Sequence, residues 1–107
     1  MKYASVNPYN NQLIKEFPFH PYPDLSISLK AFDTWRKLSV ADRGAELRKV
    51  AQLLEKNKSK YAELITLEMG KPLREADYEI AKVLTAFDYY IQNAPAFLAP
   101  VSATTNA

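Results

Sequence analysis

The spacing of apolar residues between positions 25 and 93 is the feature that most constrains the fold of this chain. Apolar side chains recur there every three or four positions, which is the period of an amphipathic helix and not of a strand. Breaks in the pattern at Ser39, Asn57 and Gly70 divide it, so the sequence predicts about four helices over residues 25–94. The apolar positions are Leu25, Leu29, Phe32, Leu47, Val50, Ala51, Leu54, Tyr61, Leu64, Ile65, Ala76, Ile80, Val83, Leu84, Phe87 and Ile91.

Local signals predict where these helices begin and end. Ser39 opens a sequence that resembles a capping box, which is typical of a helix N-terminus. Gly70 suits the left-handed conformation that closes a helix, and Pro72 suits the first turn of the next one. The last helix is expected to run over about 72–93, because Pro95 should end it.

The first part of the chain has a different pattern. Two short extended runs flank Pro8-Tyr9-Asn10-Asn11, a set of turn-forming residues, which predicts a β-hairpin over residues 3–19. Residues 20–24 are rich in proline and are expected to form a stiff connector that includes His20. Asp24 is expected to cap the first helix.

Composition excludes several classes of function. The chain has 107 residues, a net charge of +2, no cysteine and one histidine. The balanced charge argues against nucleic-acid binding, and the absence of cysteine removes disulfides, thiolate metal sites and thiol nucleophiles. No apolar run reaches the length of a membrane span. We expect a soluble, cytoplasmic protein.

Four features invite a chemical interpretation. Gly70-Lys71-Pro72 could be a phosphate-binding loop, but no strand or second glycine precedes it and proline offers no N–H, which favours a turn between helices. Glu75, Asp77 and Glu79 have two interpretations: they form a solvated acidic face, or one of them supplies a carboxylate that coordinates a cation. Trp35 is expected to anchor the core, and of the pair Tyr89-Tyr90 one ring is expected to be packed. The residues alone indicate no catalytic and no cofactor-binding side chain.

The order of motifs along the chain resembles the aldehyde dehydrogenase superfamily. "VNPYNNQLI" is similar to the family's opening Asn-Pro-x-x-Gly-x-x-(Ile/Val), with Asn10 or Asn11 at the usual glycine. "FDTWRKLSVADRGAELRKVAQLLEKNKSKYAELITLEMGKPLREADYEI" resembles the family's first helices, with Trp, Arg, Leu-x-x-(Val/Leu)-Ala-x-Leu-Leu and Glu-x-Gly-Lys-Pro in order, and "FDYYIQNAPAFLAP" continues the match. Met-Gly-Lys-Pro and Glu79 favour the succinate-semialdehyde branch.

This resemblance implies a mainly α segment with an N-terminal hairpin, as part of the α/β aldehyde dehydrogenase fold. In that family a cysteine thiolate attacks the aldehyde, hydride passes to NAD or NADP, and the thioester is hydrolysed. Residues 1–107 are then expected to be an incomplete N-terminal segment that ends in a truncated loop, 95–107, and packs on the cofactor domain. The expected partner is the remainder of the dehydrogenase chain, in a homo-oligomer when complete, and no nucleic acid or membrane. Whether the segment counts as an enzyme is open, because it lacks the cysteine and the glycine-rich nucleotide turn, and no cofactor is expected for it alone.

Two further expectations remain open. Some relatives hold a monovalent cation with backbone carbonyls of the opening segment and an acidic side chain on the long helix, which implies Ser5, Val6 and Glu79 here. The alternative to a dehydrogenase segment is a free-standing truncated helical protein that binds a partner. Its binding surface would be the apolar stripe formed by Leu47, Val50, Ala51 and Leu54.

Overall fold

The computed structural model describes residues 2–19 and 25–105. Its elements, in chain order, are β1 (Lys2–Val6), β2 (Leu13–Pro18), α1 (Leu25–Trp35), α2 (Val40–Lys56), α3 (Lys58–Met69) and α4 (Leu73–Phe97). The predicted class, four helices after an N-terminal hairpin, is confirmed. The connector predicted at 20–24, with His20 and the capping role of Asp24, lies outside the described residues.

The hairpin pairs β1 and β2 in antiparallel register, with Tyr3 opposite Phe17. Its turn is closed by two backbone hydrogen bonds: the Asn7 N–H donates to the Gln12 carbonyl at 2.9 Å, and the Asn11 N–H donates to the Asn7 carbonyl at 2.8 Å. Asn11 has a φ of 57°. This is the left-handed region, which asparagine tolerates better than most residues and glycine adopts without strain. Asparagine at position 11 therefore occupies a backbone conformation that glycine would also adopt.

The start of α2 confirms the predicted capping role of Ser39. The Asp42 N–H donates to the Ser39 hydroxyl oxygen at 3.0 Å, and the hydroxyl donates to the Asp42 carboxylate at 2.6 Å. At the other end, the side-chain amide of Asn57 donates to the Leu53 carbonyl at 2.8 Å. Asn57 separates α2 from α3, as the interruption of the apolar pattern predicts.

Helix α4 is the central helix of the chain, since it packs against both α2 and α3. The buried apolar residues of the described chain are small in number: Ala62, Ala76 and Ile80, with Leu54, Ile65 and Leu84 packed around them. Gly44 is buried where α2 approaches α4, and a β-carbon on it would lie 3.4 Å from Ile91 Cγ2. A methyl group at Gly44 would therefore touch Ile91 at about van der Waals distance, so the packing of the two helices does not require glycine there.

The end of α4 differs from the sequence-based expectation. The helix runs through Pro95 to Phe97 and does not stop near 93. Proline removes one intrahelical donor, so the bond to the Ile91 carbonyl is lost. The helix continues because the next turn still closes, with the Leu98 N–H donating to the Ala94 carbonyl at 2.9 Å. One lost hydrogen bond close to a helix end is not enough to stop it.

Much of the apolar surface is left uncovered by these helices. Helix α1 has no buried residue, and Trp35 at its end is 39% exposed, so the predicted role of Trp35 as a core anchor is wrong for this chain. Val83, assigned by its spacing to the buried stripe of α4, is also exposed. The radius of gyration is 19.7 Å, whereas a compact domain of this length has about 13 Å. The chain is therefore extended and has a small hydrophobic core.

Candidate functional site

The Gly70-Lys71-Pro72 segment is the tight turn between α3 and α4. Gly70 adopts a left-handed conformation, with φ 69° and ψ 14°, and its N–H donates to the Thr66 carbonyl at 2.9 Å. Pro72 stands at the N-cap of α4, where its carbonyl accepts the N–H groups of Glu75 at 2.9 Å and Ala76 at 3.0 Å. The predicted role as a helix-to-helix turn is confirmed, with Pro72 one position earlier than the first helical residue.

The β-hairpin meets this turn. The Ser5 hydroxyl of β1 donates to the Glu68 carboxylate, near the end of α3, at 2.6 Å. A β-carbon on Gly70 would lie 3.3 Å from Pro8 Cγ in the hairpin turn. One hydrogen bond therefore joins the hairpin to the C-terminal end of α3, and the hairpin turn passes close to Gly70.

The acidic residues at the start of α4 are largely matched by lysines. The Lys58 ammonium donates to the Asp77 carboxylate at 2.7 Å, which ties α3 to α4. The Lys71 ammonium pairs with the Glu79 carboxylate, which ties the turn to the second turn of α4. The described structure therefore gives two of the three carboxylates an ion-pair partner from this chain.

The predicted monovalent-cation residues lie on two elements. Ser5 and Val6 belong to β1, and Glu79 belongs to α4. In residues 2–19 and 25–105, no hydrogen bond joins Ser5 or Val6 to Glu79. The same residues contain no group of three or more acidic or histidine side chains that could hold a metal ion. The cation site stays a prediction.

An aromatic patch near the end of α4 was only partly anticipated. The rings of Tyr89 and Tyr90 meet edge to face with centroids 5.3 Å apart, and the rings of Tyr89 and Phe97 lie 6.1 Å apart. Tyr89 is 52% exposed and Tyr90 is 62% exposed, so the expectation that one ring would be packed is wrong. Helical spacing cannot show this, because it does not say how many faces of a helix have neighbours.

An open apolar groove of about 270 Å³ lies between α2 and α4. Its lining is Leu47, Val83, Ala86, Phe87, Tyr90 and Ile91. The stripe predicted as a partner surface on α2 is divided: Leu47 and Val50 are exposed, whereas Ala51 and Leu54 are half-buried. Of the predicted stripe, only Leu47 lines the groove. The other wall is formed by α4, and its residues Val83, Phe87 and Ile91 were assigned by spacing to a buried stripe, whereas Ala86 and Tyr90 were not. Within the described part of the chain, no helix has the length and apolar character needed to cross a membrane.

Comparison with known proteins identifies this arrangement. The model of the aldehyde dehydrogenase family matches residues 1–106. A succinate-semialdehyde dehydrogenase (NADP(+)) from Deinococcus radiodurans is 37% identical over 102 residues, which is 92% of this chain and 21% of that protein. A malonate-semialdehyde dehydrogenase from Bacillus cereus (strain B4264) is 36% identical over 89 residues, which is 79% of this chain and 18% of that protein.

Solved structures give the same answer for the fold. The structure of 3,6-anhydro-L-galactose dehydrogenase superposes on all of this chain and on 23% of its own length, with a TM-score of 0.84 and 28% identity. The chain thus spans about a fifth to a quarter of the relatives that it matches. The motif order, the match over residues 1–106 and this superposition agree, and the chain belongs to the aldehyde dehydrogenase family.

Proposed function

We propose that these residues form the N-terminal helical part of an NAD(P)-dependent aldehyde dehydrogenase that oxidises an aldehyde to the carboxylic acid. Succinate semialdehyde is the proposed substrate. The observation that carries the proposal is the family match over residues 1–106, combined with a coverage of 21% of a succinate-semialdehyde dehydrogenase. A segment of this length corresponds to one part of such an enzyme.

The role that we propose for the segment is to pack on the cofactor domain supplied by the remainder of the dehydrogenase chain. Three apolar side chains of α1, Leu25, Leu29 and Phe32, are at least 60% exposed. Full burial of such a side chain contributes roughly 1.5–3 kcal/mol to stability, so a domain that covers this face of α1 would stabilise the complete protein considerably. A two-stranded hairpin is also marginal by itself and gains stability when further structure packs on it. Both features support a covering partner, and assembly of the complete protein as a homo-oligomer remains a prediction.

The segment alone is proposed to be inactive. The chain contains no cysteine, so it cannot supply the thiolate that attacks the aldehyde. NAD or NADP would be held by the remainder of the protein, since no residue here is assigned to either cofactor. A cytoplasmic location also stays a prediction.

Activity should be tested on the native polypeptide that carries residues 1–107. Formation of NADH or NADPH is followed by absorbance after addition of succinate semialdehyde, with malonate semialdehyde as the comparison substrate. We expect turnover by the native polypeptide and none by the 107-residue chain alone. A native polypeptide that reduces neither cofactor with either semialdehyde would contradict the proposed function.

Packing should be tested separately with Phe32→Ala. In the 107-residue chain this side chain is 60% exposed, so the loss of stability should stay within about 0.5 kcal/mol. In the native polypeptide, where we propose that α1 is covered, the same change should cost about 3–5 kcal/mol. Lys30→Ala on the same helix is the matched control. An equally small cost in both settings would show that α1 is not covered.

The alternative, a free-standing partner-binding protein, is favoured by one observation, the open groove between α2 and α4. The two proposals differ in how the 107-residue chain behaves alone. A dehydrogenase segment should bind hydrophobic dyes, pack loosely and self-associate, because its apolar faces are uncovered. A cooperative unfolding transition from a clean monomer would favour the partner-binding protein.

A further inference from the structure

We infer that the Lys71 ammonium is the resident cation of the Glu79 carboxylate, in place of a sodium or potassium ion. The family resemblance implies a monovalent cation near this residue. The residues present do not fit that ion well, because Glu79 already forms an ion pair with Lys71. The inference concerns only this chain's own side chains and is independent of the catalytic activity proposed above.

The position of Lys71 is determined by a rigid piece of backbone. It lies between Gly70, which is held in the left-handed conformation, and Pro72, whose ring restricts φ. The carboxylate partner lies on the second turn of α4, eight residues along the chain. Because the turn and the helix fix both backbones, only the two side chains have to be ordered for the pair to form.

The surroundings shield the pair and add positive charge. The Lys71 side chain is 27% exposed and that of Glu79 is 47% exposed, so solvent reaches the pair only in part. Arg74 lines the same shallow groove, whereas Asp77 is paired with Lys58. A free cation that approached Glu79 would therefore meet two positive side chains and one uncommitted acid, Glu75.

Competition also favours the tethered group. A binding group on a short tether acts at an effective concentration in the millimolar range or above, without the entropy cost of capturing a free ion. A sodium or potassium ion would have to share the carboxylate with an ammonium already in contact with it. Of the groups expected to meet at an ion, the one acidic side chain, Glu79, therefore already has a partner in this chain.

The test is the unfolding midpoint of the native polypeptide that carries these residues, measured in sodium, potassium and choline chloride at equal ionic strength. A native-state cation site would raise the midpoint with the logarithm of sodium or potassium concentration. We expect the same midpoint in all three salts. We also expect Lys71→Met to lower the midpoint more than Lys82→Met, a matched loss of charge on α4 at a lysine with no ion pair in the described structure.

Two results would overturn the inference. One is a saturable rise of the wild-type midpoint in sodium or potassium that disappears in Glu79→Gln. The other is an equal effect of Lys71→Met and Lys82→Met. Should Lys71→Met fail to fold, crystals of the wild-type protein soaked in rubidium decide the question: an anomalous peak at the Glu79 carboxylate contradicts the inference, and its absence there supports it.

Discussion

The two glycines of the chain should respond in opposite ways to the same substitution. Gly70 has a φ of 69°, and a β-carbon on it would lie 3.3 Å from Pro8 Cγ. Gly44 lies inside α2 with ordinary helical geometry, and its β-carbon would lie 3.4 Å from Ile91 Cγ2, an ordinary contact distance. Gly70→Ala and Gly44→Ala therefore add the same methyl group to two different backbone conformations, one left-handed and one helical.

The expected magnitudes follow from those geometries. A left-handed conformation costs an L-residue about 1–2 kcal/mol. Replacing glycine also restricts the unfolded chain, which raises the free energy of unfolding by about 0.4–1 kcal/mol and offsets part of that cost. Gly70→Ala should therefore destabilise the chain by about 1 kcal/mol, with the close contact to Pro8 adding to the cost. Gly44→Ala should stabilise it by up to about 1 kcal/mol, since alanine is the better helix former by that amount.

The assay is amide hydrogen exchange of peptides from α2, α3 and α4 of the 107-residue chain, with wild type beside both variants. Exchange reports the local stability of each helix and does not require a cooperative unfolding transition. We expect Gly70→Ala below wild type and Gly44→Ala above it. Equal shifts, or a stabilising Gly70→Ala, would show that the turn is not held in the left-handed conformation.

Three further substitutions test the core, the hairpin turn and a helix cap. Among the described residues, Ile80 is the largest buried side chain, 4% exposed, and Ile80→Ala should cost about 2–5 kcal/mol. Tyr78→Ala on the same helix should stay within about 0.5 kcal/mol. Amide exchange in α4 compares the two variants, and equal costs would contradict the core assignment. Asn11→Gly should leave the hairpin as stable as wild type, while Asn11→Val should weaken it by about 1–2 kcal/mol, measured by amide exchange in β1 and β2; a harmless valine would refute the left-handed turn. Ser39→Ala should cost about 1 kcal/mol, and Ser39→Thr should keep most of the stability because its hydroxyl can still accept from the Asp42 N–H and donate to the Asp42 carboxylate. Amide exchange in α2 measures both, and no loss in the alanine variant would show that the cap is dispensable.

Features set by local backbone chemistry were predictable from the sequence. The turn at Gly70, the cap at Ser39 and the hairpin turn at Asn10-Asn11 each depend on neighbouring residues only, and each was confirmed. The apolar period likewise predicted the four helices. Such signals depend on φ preferences and nearby hydrogen bonds, which a single sequence contains in full.

Features that depend on distant neighbours were not predictable in the same way. Trp35 and Val83 have the character of core residues, yet they stay 39% and 45% exposed because the described chain covers them only in part. The Lys71–Glu79 pair was also missed, although its signal was visible: a lysine directly before a helix and an acid in its second turn. Apolar spacing predicts which face of a helix needs cover, but not what provides it.

The most direct test of the central claim is the intact mass of the native polypeptide that carries this N-terminus in its source cells. The claim predicts a mass several times the 12.2 kDa of the present chain, in keeping with the fifth of a relative that it spans. A native mass of 12.2 kDa would contradict the claim, and the groove between α2 and α4 would then be the place to look for a binding partner.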